Sequence, residues 1–369
     1  MSRDEGVRDV ESSGVVFGVH DLALIDHQVA LSHQLRAAKR ATTWTWAGFD
    51  ATTPSSGDLK RLAKIGPQEE FLWDGEGRLG QRFAAIFVQT PYEEQRHGDW
   101  RRLSADDGLA YSGYGVTISS WREGHYYAPL YLRCRYILLS TPSDFAPFRA
   151  AGIEDRRLLH TGSPILFDLV SRRRTVAVPT DPVLLWMPHW TEDWFGSPGY
   201  STWTETVFDV LHSAENEPTT TFIVRPHPLL RRQLEAPGRA ESPPQLAYRN
   251  LLTLPNVELS TNDLIGDLLA ASAVLTDGVS PIAYAAAVGM PLAVCRRFDS
   301  PPFSPNGERI AAAAETVVTS GQRRNWIKRQ ANSPARARNE HLQQVVLSCF
   351  PLHDRSPGEV FAERLDEVS

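Results

Sequence analysis

The second half of the chain alternates short apolar runs with amphipathic stretches, and this alternation restricts the fold more than any other feature. Four runs are predicted as buried parallel strands: Val183–Met187, Thr221–Val224, Ala273–Thr276 and Pro291–Val294. Helical patterns stand between them at Trp203–His212, Asn262–Ala271 and Ser280–Val288. This β-α-β-α-β-α-β order is typical of a Rossmann-like half, in which ligands bind at the carboxyl ends of the strands.

The first half carries the same alternation with less regular spacing. Its predicted elements are the strands Gly14–Val19, Ala84–Gln89, Tyr136–Ser140 and Leu158–His160 and the helix Leu24–Arg36. A chain of 369 residues is long for one core, and a basic, proline-containing linker is predicted at Arg172–Pro182. We therefore expect an α/β protein with an N-terminal Rossmann-like domain in 1–175 and a second one in 176–345. A C-terminal helix in 346–369 is expected to pack back on the first domain.

Composition narrows the class of protein. The formal net charge of −6 argues against a nucleic-acid partner. No apolar run approaches the roughly 20 residues that a membrane span requires. The three cysteines are far apart and form no CxxC pair, which predicts neither a zinc site nor a disulfide framework and suits a reducing cytoplasm. We expect a cytoplasmic protein that reaches a membrane-bound substrate by peripheral contact at the inner face.

Several common site motifs are missing. No GxxxxGK[ST] or GxSxG occurs, which argues against a P-loop enzyme and an α/β-hydrolase. Gly113-Tyr114-Gly115 lacks the third glycine of a dinucleotide fingerprint and follows no predicted strand. His20, His27 and His33 do not share one helical face at metal-ligand spacing. We expect neither a metal nor a cofactor.

The first loop that leaves a strand end in the second half is Pro188-His189-Trp190-Thr191. A histidine in this place can donate a hydrogen bond to a phosphoryl oxygen or act as a general acid or base. The alternative is a solvated loop histidine that stacks on Trp190. This loop alone does not decide between the two.

The second loop is Arg225-Pro226-His227-Pro228. Its two prolines stiffen the backbone and fix where the Arg225 and His227 side chains point. A guanidinium fork matches a phosphate, and the histidine adds a donor whose charge can change. The alternative is a rigid turn whose arginine forms a surface ion pair.

The third loop, Thr276-Asp277-Gly278-Val279-Ser280, opens into the predicted helix. Gly278 is expected to permit positive φ and a close backbone approach, and Ser280 to cap the helix. A phosphate can then bind at the helix N-terminus. Serine is also a common N-cap without any ligand, so this loop gains weight from the two beside it. One diphosphate could touch all three loops.

Taken together, the motifs resemble the CDP-glycerol glycerophosphotransferase family of teichoic-acid and capsule polymerases. The matching stretches are "HTGSPILFDLV", "LLWMPHWTEDW", "FIVRPHPLL" and "DLLAASAVLTDGVSPIAYAAAVGMPLAV", between His160 and Arg309. The resemblance implies a GT-B-like fold, two Rossmann-like domains facing across a cleft, with the acceptor on the first and the nucleotide donor on the second. It implies that Arg225, His227 and Ser280 contact the donor phosphates and that His189 lies beside them.

The sequence also departs from the family pattern. The usual double serine is Val279-Ser280, and an acidic residue suited to glycerol hydroxyls falls at Tyr284. The Trp-His-Gly that supplies the family's base is replaced after the strand Ala84–Gln89. His97 and Glu93 remain as candidates for the base. For His97, the alternative is a solvated loop residue without a catalytic role. Residues of lesser rank near the donor are Asp299, Glu308 and Arg309, for which surface ion pairing is an equal explanation.

The expected activity is transfer of a polyol phosphate, most simply glycerol phosphate, from CDP-glycerol or a similar nucleotide-diphosphate donor to a hydroxyl of a cell-envelope glycan or glycolipid. The donor-binding residues would be Pro188, Thr191, Arg225, His227 and the run Thr276 to Ser280, including Asp277, Gly278 and Val279. Two alternatives stay open. One is a GT-B glycosyltransferase that uses a UDP- or CMP-sugar, and the other is a non-catalytic partner in an envelope-polymer complex.

Overall fold

The structure is a computed structural model that describes ten stretches of the chain. These are residues 12–46, 56–68, 83–91, 103–113, 115–120, 126–176, 179–194, 197–236, 242–333 and 339–367. By their contacts the residues group into two compact units. The first unit is Met1–Tyr114, Glu123–Pro164 and His353–Ser369, and the second is Gly115–Arg122 and Ile165–Leu352. The domain limits at 175 and 345 stay predictions, and the units depart from chain order at 115–122 and 353–369.

The first unit is built on a six-stranded parallel sheet. Its strands are β1 (Ser12–Val19), β2 (Thr42–Trp46), β3 (Phe83–Val88), β4 (Leu109–Ser112), β5 (Tyr136–Leu139) and β6 (Leu158–His160). Their order across the sheet is β2-β1-β3-β4-β5-β6. The four predicted strands are present, whereas β2 and β4 were not predicted. Because β4 ends at Ser112, the statement that Gly113-Tyr114-Gly115 follows no strand is wrong.

Helices cover this sheet and fill its two apolar layers. They are Asp26–Ala37, Ser56–Ile65, Leu130–Arg133, Phe145–Ala150 and the C-terminal Pro357–Asp366. Phe17 of β1 stacks on Trp44, with ring centroids 4.8 Å apart, and on Phe87 at 5.3 Å. Phe361 of the last helix meets Phe87 edge-on at 5.4 Å, so the end of the chain completes the core of the first unit.

The second unit is built on another six-stranded parallel sheet. Its strands are β7 (Val183–Met187), β10 (Thr221–Val224), β11 (Val257–Leu259), β12 (Ala273–Thr276), β13 (Leu292–Cys295) and β14 (Glu315–Val317). Their order is β11-β10-β7-β12-β13-β14. A short hairpin, β8 (Asp193–Trp194) and β9 (Ser197–Pro198), stands between β7 and the next helix. The predicted strands are confirmed, and the edge strands β11 and β14 extend the sheet beyond them.

The helices of the second unit pack on this sheet and on one another. They are Pro164–Arg173, Trp203–Asn216, Pro228–Glu235, Pro243–Leu251, Leu264–Ala270, Val279–Ala287, Pro305–Ala313, Ser320–Ala331 and Glu340–Cys349. Trp186, Trp203, Phe222 and Trp326 lie in one buried cluster on one face of the sheet. Within the described stretches, none of the helices is long and apolar enough to cross a membrane.

Candidate functional site

The three polar loops of the second unit leave three neighbouring strands. The strands β10, β7 and β12 lie side by side and run parallel, so their carboxyl ends share one edge of the sheet. The chain runs outward from β7 to β10 and β11, then returns to the other side of β7 with β12. This reversal makes the β7/β12 crevice the topological switch point, where ligands of such sheets bind.

Thr276 and Asp277 join the β12 loop to the β7 loop. The Thr276 hydroxyl donates to the Met187 carbonyl at 2.7 Å and accepts the Gly278 N–H at 2.9 Å. One Asp277 oxygen accepts the His189 N–H at 2.6 Å, and the other accepts the Thr202 hydroxyl at 2.9 Å and the Thr202 N–H. Both side chains therefore hold backbone in place.

Asp277 is buried, and its environment shifts its acidity. Burial raises the pKa of the Asp277 carboxyl to about 6, although the hydrogen bonds from Thr202 and His189 favour the charged form. A carboxylate that accepts three hydrogen bonds at a switch point fixes the position of His189.

His189 is held in one tautomer by Thr191. Its Nδ1 lies 2.7 Å from the buried Thr191 hydroxyl and 3.4 Å from the Thr191 N–H, which can only donate. Nδ1 is therefore an acceptor, and the ring proton lies on Nε2. Burial, and then the nearby His227, keep the pKa of His189 well below its usual value. The ring is accordingly neutral near pH 7.

His227 is oriented in the same way from the next strand. The His227 backbone N–H donates to the Pro188 carbonyl at 2.9 Å. Its ring Nδ1 accepts the Leu229 backbone N–H at 3.2 Å, so that His227 is the N-cap of the Pro228–Glu235 helix. The His189 and His227 ring centroids are 5.1 Å apart, and each lies 6.2 Å from the Trp190 ring. We call His189 and His227 the histidine pair. Each ring turns its Nδ1 to the backbone side and carries its proton on Nε2.

Arg225 is bound by a buried carboxylate. Its Nη1 donates to Asp267 at 2.9 Å, to the Asn262 carbonyl at 2.8 Å and to the Ser260 hydroxyl at 3.2 Å. Asp267 is fully buried and also accepts the Ser260 hydroxyl, whereas the Arg225 side chain keeps 21% of its surface exposed. The guanidinium is thus fixed at the carboxyl end of β10 by an ion pair with a buried partner.

The start of the third helix differs from the prediction. The helix begins at Val279, its N-cap is Gly278 with φ −74°, and Ser280 lies inside the first turn. The expected serine cap and the expected positive φ at Gly278 are both wrong. A Cβ on Gly278 would lie 2.9 Å from Pro281 Cγ, so the local packing favours glycine here, and the close approach of its backbone to a phosphate stays a prediction.

The Ser280 hydroxyl instead holds a distant piece of chain. It donates to the Val116 carbonyl at 3.1 Å, while the Tyr284 hydroxyl accepts the Val116 N–H at 3.3 Å. Gly115 passes so close that a Cβ would lie 2.6 Å from Ser280 Oγ. Residues 115–120, which we call the strap, therefore bind to the first turns of the Val279–Ala287 helix.

The strap continues along the neighbouring loops of the second unit. The Ser304 N–H donates to the Ile118 carbonyl at 2.7 Å, and the Ser120 N–H donates to the Tyr200 hydroxyl at 3.1 Å. Tyr200 donates in turn to the Pro302 carbonyl at 2.9 Å. Sequence reasoning missed the strap, and the glycine Gly115 before its first anchored residue was the one visible signal.

The remaining candidates divide into placed and undescribed residues. Asp299 pairs with Arg297 at 2.9 Å, Glu308 accepts the Phe303 N–H at 2.6 Å, and Arg309 donates to the Ser348 hydroxyl at 2.9 Å. His97 and Glu93 lie outside the described residues. Among the residues that are described, no group of His, Cys, Asp and Glu side chains could hold a metal ion.

No protein-family model matches the sequence, and no curated protein matches it. Solved structures match over nearly the whole chain, and they define the fold as GT-B. The predicted fold class, an α/β GT-B-like protein of two Rossmann-like parts, is confirmed.

Three of these structures illustrate the similarity. The wall teichoic acid polymerase TagF has a TM-score of 0.57 at 11% identity, with 97% of this chain and 89% of that chain covered. The UDP-GlcNAc 2-epimerase of Neisseria meningitidis, bound to UDP-GlcNAc, has a TM-score of 0.53 at 11% identity, with 96% and 99% covered. Anabaena HepE, in complex with UDP and glucose, has 0.51 at 12% identity, with 96% and 99% covered.

Proposed function

We propose that the protein is a transferase that binds a nucleotide-diphosphate donor at the histidine pair. It moves a polyol phosphate, with glycerol phosphate as the first choice, from a CDP-linked donor to a hydroxyl of a cell-envelope glycan or glycolipid. The observation that carries the proposal is the joint orientation of His189 and His227, which bind backbone N–H groups through Nδ1 and carry their protons on Nε2.

Two imidazole rings whose centroids are 5.1 Å apart, each with its proton on Nε2, suit a diphosphate for a physical reason. Each donates a hydrogen bond without adding a fixed charge, so the site can release the nucleotide after transfer. Negative charge that develops on the leaving phosphate favours protonation of His189, whose own surroundings disfavour it. Pre-positioned donors of this kind stabilise the transition state more than the ground state. Arg225 and the first turn of Val279–Ala287 add positive potential at the same sheet edge.

The choice of donor rests on two kinds of similarity. The motifs resemble CDP-glycerol glycerophosphotransferases, and TagF is among the structures of similar fold. Other similar structures hold UDP or a UDP-sugar, which keeps a UDP-sugar glycosyltransferase as the alternative. Tyr284, at the position where the resembling family has an acidic residue, uses its hydroxyl on Val116. The transferred group is thus the point that most needs a direct test.

The test is a calorimetric and thermal-shift panel of CDP, CDP-glycerol, CDP-ribitol, UDP and UDP-GlcNAc. We expect a cytidine diphosphate compound to bind and raise Tm, with CDP-glycerol tighter than CDP. Tighter binding of UDP-GlcNAc would move the assignment to a glycosyltransferase. Binding without any nucleotide release in the presence of envelope lipid extract would favour the non-catalytic partner. No shift with any nucleotide would refute the proposal.

Matched variants locate the site. His227→Asn keeps an acceptor at the N-cap but removes the Nε2 donor, so nucleotide binding should weaken by about tenfold or more with little loss of stability, since a lost hydrogen bond to a charged group is worth about 1.5–3 kcal/mol. His189→Gln should act likewise. His341→Gln, at an exposed position of the Glu340–Cys349 helix, is the control and should bind as the unmodified protein does. Equal binding by all three variants would place the site elsewhere.

A further inference from the structure

The first turn of the Val279–Ala287 helix is occupied by the chain itself. The Ser280 hydroxyl donates to the Val116 carbonyl at 3.1 Å, and the Tyr284 hydroxyl accepts the Val116 N–H at 3.3 Å. A hydroxyl has one proton to donate, so Ser280 cannot bind the strap and a phosphate oxygen through that proton at the same time. A backbone carbonyl therefore holds the donor group that the sequence predicts for a phosphate.

We propose that the first end of the strap, Gly115–Val116, is an internal competitor of the donor diphosphate, and that a bound nucleotide releases it from Ser280. The proposal rests on the proposed function, because the competing ligand is the donor of that transfer. A charged phosphate oxygen binds a hydroxyl more strongly than a neutral carbonyl does, and the positive end of the helix dipole favours it further. By reciprocity, the strap weakens nucleotide binding while it is in place.

Ser280 has no room for the strap and a ligand together. A Cβ on Gly115 would lie 2.6 Å from Ser280 Oγ and 3.3 Å from the Tyr284 hydroxyl, so the backbone of the strap is in direct contact with both side chains. Val116 is 1% exposed, which shields its two hydrogen bonds from water. A phosphate group is larger than a Cβ, so a phosphate that contacts Ser280 Oγ on this side requires Gly115 to move.

The far end of the strap is held more firmly than the first end. The Ile118 carbonyl accepts the Ser304 N–H at 2.7 Å, and a Cβ on Gly307 would lie 2.5 Å from the same carbonyl oxygen. Ile118 is fully buried, whereas Thr117, between the two anchors, is half-buried. The release that we infer therefore involves the first two residues of the strap and leaves it attached at Ile118.

Tyr284 distinguishes competition from a purely structural contact. Its hydroxyl holds the strap, whereas the hydroxyl of Ser280 is the group for which strap and phosphate compete. Tyr284→Phe removes one hydrogen bond of the strap and keeps Ser280, so the first end of the strap is released more often. Because the apparent Kd is the intrinsic Kd divided by the open fraction, nucleotide should bind about fivefold more tightly or better.

The first experiment is calorimetry with CDP and with UDP on the unmodified protein and two variants. Tyr284→Phe should bind the nucleotide more tightly, as argued above. Tyr248→Phe makes the same chemical change at a buried tyrosine of the Pro243–Leu251 helix, and its Kd should stay within about twofold of the unmodified value. Unchanged or weaker binding by Tyr284→Phe overturns the proposal.

The second experiment needs no variant. Hydrogen exchange at the Val116 amide is measured in the unmodified protein, without ligand and with whichever of CDP and UDP binds at saturation. Bound ligands generally slow exchange, but release of the strap should speed exchange at Val116 by about fivefold or more. Exchange there that is unchanged or slower with nucleotide bound overturns this inference and leaves the proposed function intact. Absence of binding by both nucleotides refutes the proposed function and this inference with it.

Discussion

Val116 is held through both of its backbone groups by a single helix. Ser280 donates to its carbonyl, and Tyr284 accepts its N–H, so the two side chains act as one clamp on the strap. Val116 and Tyr284 are both almost fully buried, at 1% and 2% exposure. A buried backbone N–H without an acceptor is costly, which is why a tyrosine at this position has structural value.

Replacement of Tyr284 by phenylalanine should loosen the strap. The change removes the acceptor of the buried Val116 N–H and leaves the ring packing in place. We expect a loss of about 1–3 kcal/mol of stability in the second unit, the cost of an unsatisfied buried donor. Hydrogen exchange at the Val116 amide should become faster. Tyr248→Phe, at another buried tyrosine of the same unit, is the control and should leave that amide protected.

At the scale of elements, the sequence predicted the bounds of the buried apolar strands, but it missed several of the strands that pair with them. Continuous apolar runs such as "VLLWM" and "AVLT" have few other ways to fold, so β7 and β12 have the predicted bounds. The edge strands β11 and β14 were missed because each has only three residues, with exposed positions that break the apolar pattern. The unpredicted β2, with the sequence TTWTW, carries threonines where the predicted strands have continuous apolar runs.

The candidate site was likewise predicted only in part: the position of its loops was predicted, and the contacts of their side chains were not. That three loops would meet at one edge followed from parallel topology. The contacts of their side chains did not follow, because they depend on residues far along the chain. Ser280 binds a carbonyl 164 residues away, and the Asp277 carboxylate binds Thr202, 75 residues away. Arg225 meets Asp267 across 42 residues. Local pattern carries no signal for such pairs.

The C-terminal helix provides a test of element packing. Gly358 of Pro357–Asp366 lies against the Asp26–Ala37 helix, where a Cβ would be 2.5 Å from Gln34 Cβ and 2.6 Å from the Gln34 carbonyl carbon. Backbone cannot move aside as a flexible side chain can, so Gly358→Ala should separate the two helices. We expect the first unit to lose about 2 kcal/mol or more in urea unfolding. A Cβ on Gly321 would meet nothing within 4 Å, so Gly321→Ala should cost little or nothing. Equal stability of the two variants would contradict this packing.

At the scale of the whole molecule, the buried groups with shifted pKa values respond to pH differently in the two units. In the second unit, burial lowers the pKa of His189 and raises the pKa of Asp277 to about 6. A histidine with a lowered pKa stabilises the folded unit less as the pH falls, whereas a carboxyl with a raised pKa stabilises it less as the pH rises. The contributions of His189 and Asp277 therefore oppose each other. In the first unit, burial lowers the pKa of His27 to about 3 and also lowers that of His160. Both histidines therefore stabilise the first unit less as the pH falls.

Acidification should therefore weaken the first unit before the second. The unfolded chain takes up a proton on His27 near its ordinary pKa of 6.5, whereas the folded unit does so only near 3. The stabilisation from neutral His27 is complete above about pH 6.5 and is lost at roughly 1.4 kcal/mol per pH unit below it. Hydrogen exchange at falling pH, corrected for intrinsic rates, should show the strands β1 and β3 losing protection before β7 and β12. In His27→Gln, which carries no titrating group there, that pH dependence should shrink by about 2 kcal/mol between about pH 6.5 and about pH 5. If the first unit in this variant keeps the full dependence, another group is responsible for the acid sensitivity.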